Sequence, residues 1–270
     1  MEKDPMVSRV VEEVLKRVAS GKSDAPAAAP EMNLAAPAMS YGLTEFVGLG
    51  PGDSIGLVIA NLDNQLHEQL GFDKRFKSIG IIGSRTGAGP QLMAADEGIK
   101  ATNTEILRIE LPRDCKGGAG HGSLIIFGAV DVSDARRAVE VTLKDLCQRT
   151  FGDVYANSAG HLEFQYSARG SYVLEKAFAC PFGKAFGLIL GAPAAIGVVI
   201  CDVAVKAADV EILGYGSPQH AFSLTNEMAI WVTGDSGAVR QSVIAARDAG
   251  LKLLSLMGEV PKSLGTAPYI

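Results

Sequence analysis

The feature that most constrains this chain is that it contains one segment twice. "IKATNTEILRIELPR" (99–113) and "VKAADVEILGYGS" (205–217) superpose with Lys100 over Lys206, Ala101 over Ala207 and Glu105-Ile106-Leu107 over Glu211-Ile212-Leu213. Upstream, Asp96 falls over Asp202 at the same offset (206 − 100 = 106). A repeat about one domain long in a 270-residue chain points to two like domains, fused by duplication.

The hydrophobic patterning supports this. From residue 41 onward, short β-like runs alternate with helical stretches. The first copy reads as a strand at 54–61, a short helix over "DNQLHEQLGF", a strand at 78–84, a helix at 89–102, strands over "TEILRIEL" and "GSLIIFGAV", and a helix from 133 to about 149. The second copy follows the same order, from "HLEFQYSA" through "SYVLEKAFA", "FGLILGA", "AIGVVICDVAVKAA", "DVEILGYG" and "MAIWVTG" to a helix from 236 to about 257. In each copy, two successive strands are joined by a polar, Gly-containing loop without a helix, so those strands should be antiparallel neighbours. The expected fold class is α+β: two tandem domains, 41–155 and 156–270, each a mainly antiparallel sheet flanked by helices.

Residues 1–40 stand apart. Residues 1–20 read as an amphipathic helix, with Asp4 to cap it, Pro5 in its first turn, and Val7, Val10, Val11, Val14, Leu15 and Val18 along one face. Residues 21–40 are rich in Ala and Pro, lack a hydrophobic period and read as a linker. A helix this short is marginal alone in water, so its apolar face needs a surface to dock on.

Composition narrows the function. A net charge of −5 without any basic run argues against nucleic acid or an anionic membrane as partner. No stretch approaches the ~20 apolar residues of a membrane span, and the acidic start does not resemble a signal peptide, so a cytosolic protein is expected. The four cysteines (Cys115, Cys147, Cys180, Cys201) have no metal-ligand spacing and read as reduced and structural. "GSRTGAGP" lacks the G-K-[ST] of a phosphate loop, and "GGAGHGS" follows a loop rather than a strand. The four histidines show no paired spacing; His67 is expected to be solvated on a helix surface. No cofactor, metal or catalytic set is expected.

"GVVICDVAVKAADVEILGYG", followed by "MAIWVTGDSGAVRQSVIAA", resembles a bacterial microcompartment (BMC) shell domain, a fold related to the ferredoxin-like domains. The resemblance extends over "LTEFVG", "SRTGAGP", "ELPRDCKGGAGHGSLI" and "FGDVYAN", and it points to the tandem, circularly permuted, trimer-forming shell proteins of the propanediol- and ethanol-utilisation kind (PduB-like). It implies a homotrimer forming a pseudohexameric tile in a microcompartment shell, alongside other shell proteins and an enclosed enzyme cargo. It also implies channels for small polar metabolites between the two domains of each subunit. Candidate lining residues are Arg85, Thr86, Tyr155, Asn157, Ser217, His220 and Ser223, with Cys115, Gly118, Gly120 and His121 nearer the threefold axis. By the same resemblance Lys100 and Lys206 belong at the tile edge, and residues 1–20 are read as the cargo anchor. The competing readings are a trimeric small-ligand sensor and a cytosolic enzyme.

Overall fold

A computed structural model describes residues 43–112, 122–221 and 226–264. The predicted helix and linker at 1–40 therefore lie outside the described residues.

Two antiparallel sheets account for the duplication. The first has strand order β1-β2-β3-β5-β4, made of β1 (Phe46–Gly50), β2 (Ser54–Ile59), β3 (Ser78–Ser84), β4 (Glu105–Glu110) and β5 (Ser123–Ala129). The second has order β11-β6-β7-β8-β10-β9, made of β6 (Val154–Ala156), β7 (His161–Ser167), β8 (Ala185–Ala192), β9 (Val210–Gly216), β10 (Met228–Gly234) and β11 (Lys262–Ser263). Among the described residues every strand pair is antiparallel, including the loop-joined pairs β4–β5 and β9–β10. The α+β expectation holds. The sequence reading began each copy one strand late, because β1 is glycine-rich, β6 is three residues long and neither carries a clear alternation. The two-residue β11 was also missed.

The helices are α1 (Asn64–Leu70), α2 (Gly89–Lys100), α3 (Val132–Asp145), α4 (Tyr172–Phe178), α5 (Ala194–Ala207) and α6 (Ser236–Ser255). Local chemistry sets several ends. Asp63 Oδ1 accepts from the Gln65 and Leu66 amides (2.8 and 3.4 Å) to start α1, and Gly71, left-handed at φ 68°, ends it. Asp235 Oδ1 starts α6 by accepting from Gly237 (2.9 Å) and Ala238 (3.4 Å). The helix expected to run to about 149 instead passes into a π-helical turn, Leu146–Thr150, where the Asp145 carboxylate takes both Arg149 and Thr150.

Each sheet buries one face against two long helices. Ile82, Ile106, Ile125, Phe127, Val139 and Leu143 form the core of the first half. Leu162, Phe164, Ile189, Ile200, Val232 and Val243 form that of the second. Each fully buried side chain of this size contributes roughly 1.5–3 kcal/mol. The first cluster continues into Phe151, Val154 and Val173, so one apolar core joins the halves.

His67 corrects an expectation. It is 4% exposed, and its ring nitrogens lie 3.3 Å from the Phe72 carbonyl oxygen and 2.8 Å from that of Phe76. After the short α1 the chain turns at Gly71 and folds back over the helix end, covering a ring that helical spacing alone would leave in water.

Candidate functional site at the seam between the halves

β7 reads HLEFQYS, and its alternation sorts it into two faces. Leu162 and Phe164 enter the apolar core of the second half, and Tyr166 packs against it. The opposite face carries His161, Glu163 and Gln165, each 0% exposed. A strand with both faces buried and one of them polar must satisfy that polarity locally.

Part of the satisfaction comes from across the seam. α2 begins at Gly89, and its N-cap residue, Ala88, has no side chain able to cap it. Glu163 does this instead: Oε1 accepts from the Gly89 amide at 2.6 Å and from Ala88 at 3.4 Å. A carboxylate suits the positive end of a helix. Gly89 is required there, because a Cβ would sit 2.5 Å from Glu163 Oε1 and 2.6 Å from Gln165 Cγ. His161 Nε2 lies 2.7 Å from Glu227 Oε1, joining β7 to the residue just before β10. Among the described residues neither end of the Gln165 amide has a hydrogen-bond partner, nor does Gln91 Oε1. Gln91 Nε2 donates to Ser54 Oγ (3.0 Å).

The loop ends of the first half meet nearby. Arg85 and Thr86 both donate their amides to the Gly52 carbonyl (3.3 and 3.1 Å). Ser84 Oγ and Ser123 Oγ are 2.8 Å apart, and the Gly122 amide donates to the Pro112 carbonyl (2.9 Å). A Cβ at Gly122 would collide with the Ser84 carbonyl oxygen.

The candidate residues named from sequence do not form one group. Arg85 is exposed and Thr86, beside it, is 3% exposed. Ser217 and His220 are joined by reciprocal backbone hydrogen bonds (2.7 and 3.0 Å), and the His220 ring stacks on Tyr215 at 4.3 Å between centroids. Tyr155 is a core residue, 7% exposed, whose hydroxyl donates to Asp153 Oδ1 (3.2 Å); burial and then the Asp153 charge push it up to about 12. Asn157 Nδ2 donates to the carbonyls of Leu254 and Glu259 (3.0 and 2.9 Å), fixing the end of α6. Cys115, Gly118, Gly120, His121 and Ser223 lie outside the described residues. Sequence reasoning passed over Glu163, Gln165 and Gln91. For the strand residues the signal was available: His161, Glu163 and Gln165 alternate strictly with Leu162, Phe164 and Tyr166.

The two lysines differ in setting. Lys206 is well exposed and paired with Asp202 at 2.7 Å. Lys100 is paired with Asp96 (2.6 Å) and Glu97 (3.0 Å), in a cleft of about 170 Å³ that also holds Asp145, Arg149 and Arg169. Its hydrogen bond holds the Glu97 carboxyl below the usual range.

A duplicated α+β chain with one antiparallel sheet per half and a buried polar seam has the build of a tandem-domain tile. The BMC domain family matches residues 185–263. A "Bacterial microcompartment shell protein PduB" of Citrobacter freundii is 55% identical over 268 residues, covering 97% of this chain and 98% of that protein. The solved structure "Crystal structure of a trimeric bacterial microcompartment shell protein PduB" superposes with a TM-score of 0.78 at 54% identity, covering 84% of this chain and 99% of that one. EtuB from Clostridium kluyveri does so at 0.79 and 55%, with the same coverage. The chain belongs to the PduB family of bacterial microcompartment shell proteins, and its place is the microcompartment shell.

Proposed function

We propose that three copies of this chain form a pseudohexameric tile of the shell, and that each copy carries a passage for small polar metabolites along the seam between its halves. The observation that supports the passage is the polar row of His161, Glu163 and Gln165 at this seam, closed to solvent in this conformation, with a Gln165 amide that has no hydrogen-bond partner among the described residues. Such an amide suits a neutral, hydroxyl-bearing solute of the propanediol, glycerol or ethanol class, which can accept and donate at once. Six like halves in a closed ring account for the trimer, and the solved relative named above is itself described as trimeric. This reading assigns the chain no catalytic step. Lys206 sits at the tile edge, with Lys100 as its partly enclosed counterpart, and residues 1–20 anchor the shell to its enzyme cargo.

Light scattering and electron microscopy of the purified chain test the tile: three chains per particle and hexagonal sheets are expected, and a stable monomer or dimer at micromolar concentration sinks it. The passage is tested with Gln165→Leu in intact compartments. Turnover of a small diol by the encapsulated enzymes should slow, while turnover in broken compartments stays unchanged. Equal slowing in both preparations, or none in either, removes the passage.

A further inference from the structure

The turn that folds back over the end of α1 makes a demand on His67 that the ring meets in one form only. His67 is buried, and each of its ring nitrogens faces a backbone carbonyl, Nδ1 that of Phe72 (3.3 Å) and Nε2 that of Phe76 (2.8 Å). A carbonyl oxygen accepts hydrogen bonds and cannot donate one. A neutral imidazole has a single N–H, so it serves one of these carbonyls and turns a bare lone pair toward the other. An imidazolium donates to both.

The second half builds the same turn without a histidine. Aligning the helix caps (Asp63 on Ser171, left-handed Gly71 on left-handed Ala179) sets α1 on α4 and residues 73–76 on 181–184. Both turns close alike, Phe76 donating to Asp73 and Lys184 to Pro181, each at 3.0 Å. Both are pinned at the base by a backbone bond, Leu62 to Lys77 (2.8 Å) and Gly170 to Lys184. The second turn has one tie more, from the Gly183 amide to the Gly170 carbonyl (3.0 Å). Its match, the Arg75 amide, is engaged by the Asp73 carboxylate within its own turn (2.9 Å). The position matching His67 is the exposed Glu175. Among the described residues, then, the first half has the histidine where the second has a backbone tie.

The other ties on this turn lie near the surface. Arg75 pairs with Glu105 of β4 (2.8 Å) and Lys74 with Glu68 (2.8 Å), and exposed pairs of this kind contribute little. Arg108 of β4 donates to the Leu70 carbonyl (2.7 Å), its guanidinium over the Phe72 ring at 5.0 Å. The charged groups on the elements packed here are Asp63 and Glu68 of α1, Asp73, Lys74, Arg75 and Lys77 of the turn, and Glu105 and Arg108 of β4. Side chains of those types do not ordinarily titrate between about pH 6 and 8, and histidine does. Beneath the turn Phe72 packs against the apolar cluster of Leu62, Ile79 and Ile126. We propose that His67 is a proton-dependent clasp. With a proton on each ring nitrogen it holds the 71–76 turn over this apolar cluster, and loss of one proton frees one carbonyl and loosens the turn. The clasp is complete in mildly acid solution and weakens as pH rises through the histidine range. The matched turn at 179–184 has no such dependence.

Amide hydrogen exchange of the full chain reads both turns in one sample. Exchange over residues 68–77, corrected for the intrinsic effect of pH, is compared at about pH 5.5 and about pH 8.5, with residues 176–185 as internal reference. Protection of the first turn relative to the second should fall at least about tenfold at the higher pH, the scale of one lost hydrogen bond to a charged group. His67→Gln has no proton to lose and should show the same relative protection at both pH values. Relative protection that does not change with pH in the wild type, or a pH response retained in His67→Gln, overturns the clasp. Should that variant fail to fold, nitrogen NMR of the wild-type imidazole decides. Both His67 nitrogens should be protonated at the lower pH, and the ring should titrate in step with the loss of protection. A ring that titrates out of step with the turn overturns the clasp as well.

Discussion

Glu163 shows how much can depend on one side chain at the seam. It provides the cap that α2 lacks in its own sequence, from 74 residues away, so removing it should affect both halves. Glu163→Ala is expected to lower stability by about 1–2 kcal/mol, the usual scale for a lost cap, read as a lower urea midpoint; Glu163→Gln, which keeps an acceptor, should recover part of it. Cys201 offers a second test. Burial pushes its thiol up to about 12, so the folded chain holds that proton more tightly than the unfolded chain does. The stabilisation is complete below the ordinary thiol range, near 9, and is lost as pH rises toward 12. Tyr155, also raised to about 12 by burial and Asp153, adds a loss between about 10 and 12. Denaturant midpoints should therefore fall steeply above pH 9, and Cys201→Ala should flatten the early part of that fall. An unchanged slope in the variant would show that the thiol is not responsible. The sequence marked Cys201 as structural from its lack of ligand spacing, but it left the role of Glu163 unread. A cap donated across a seam leaves no local pattern, whereas Asp63 and Asp235, which cap within their own helices, were open to local reading.

At the scale of elements, the legible parts were those with strong period. α6 (Ser236–Ser255) appears where helical spacing puts it, because it buries one well-defined face, and β10 (Met228–Gly234) appears where a short apolar run puts it, with residues buried on both faces. β1, β6 and the π-helical turn were not legible. Their conformations depend on neighbours, β6 on pairing with β7 and the π turn on Asp145 taking two partners at once. The seam contact of α4 is of the same tertiary kind: the Lys176 ammonium reaches across to the Ile106 carbonyl. Lys176→Met should loosen the seam, seen as faster amide exchange in α4 with the trimer retained. If α4 exchange is unchanged, the strap is not holding the helix.

At the scale of the whole molecule, the proposed role of residues 1–20 as an anchor for cargo can be separated from the tile by deletion. Deleting residues 1–38 should leave trimers and sheets intact and separate shell from cargo in cells. Val11→Glu with Leu15→Glu should do the same, since a carboxylate buried without a partner is strongly disfavoured. Shell and cargo still associated in both variants would refute the anchor. At the tile edge, Lys206→Ala should weaken sheets without dissolving trimers; its pair with Asp202 is exposed, and such a pair contributes only about 0–1 kcal/mol. The effect would come from repetition along every edge, and sheets of normal extent would remove Lys206 from it.

The polar row on β7 has a further consequence for a living shell. Its counterpart surface, the start of α2, belongs to the same polypeptide, so if solutes pass along this seam as proposed, each passage is built when the chain folds and does not wait for assembly. The count of such passages would then be fixed by translation, one per chain, whatever the equilibrium among tiles. A cell that adjusts synthesis of this chain relative to other shell components would be setting the conductance of its compartments in whole-number steps.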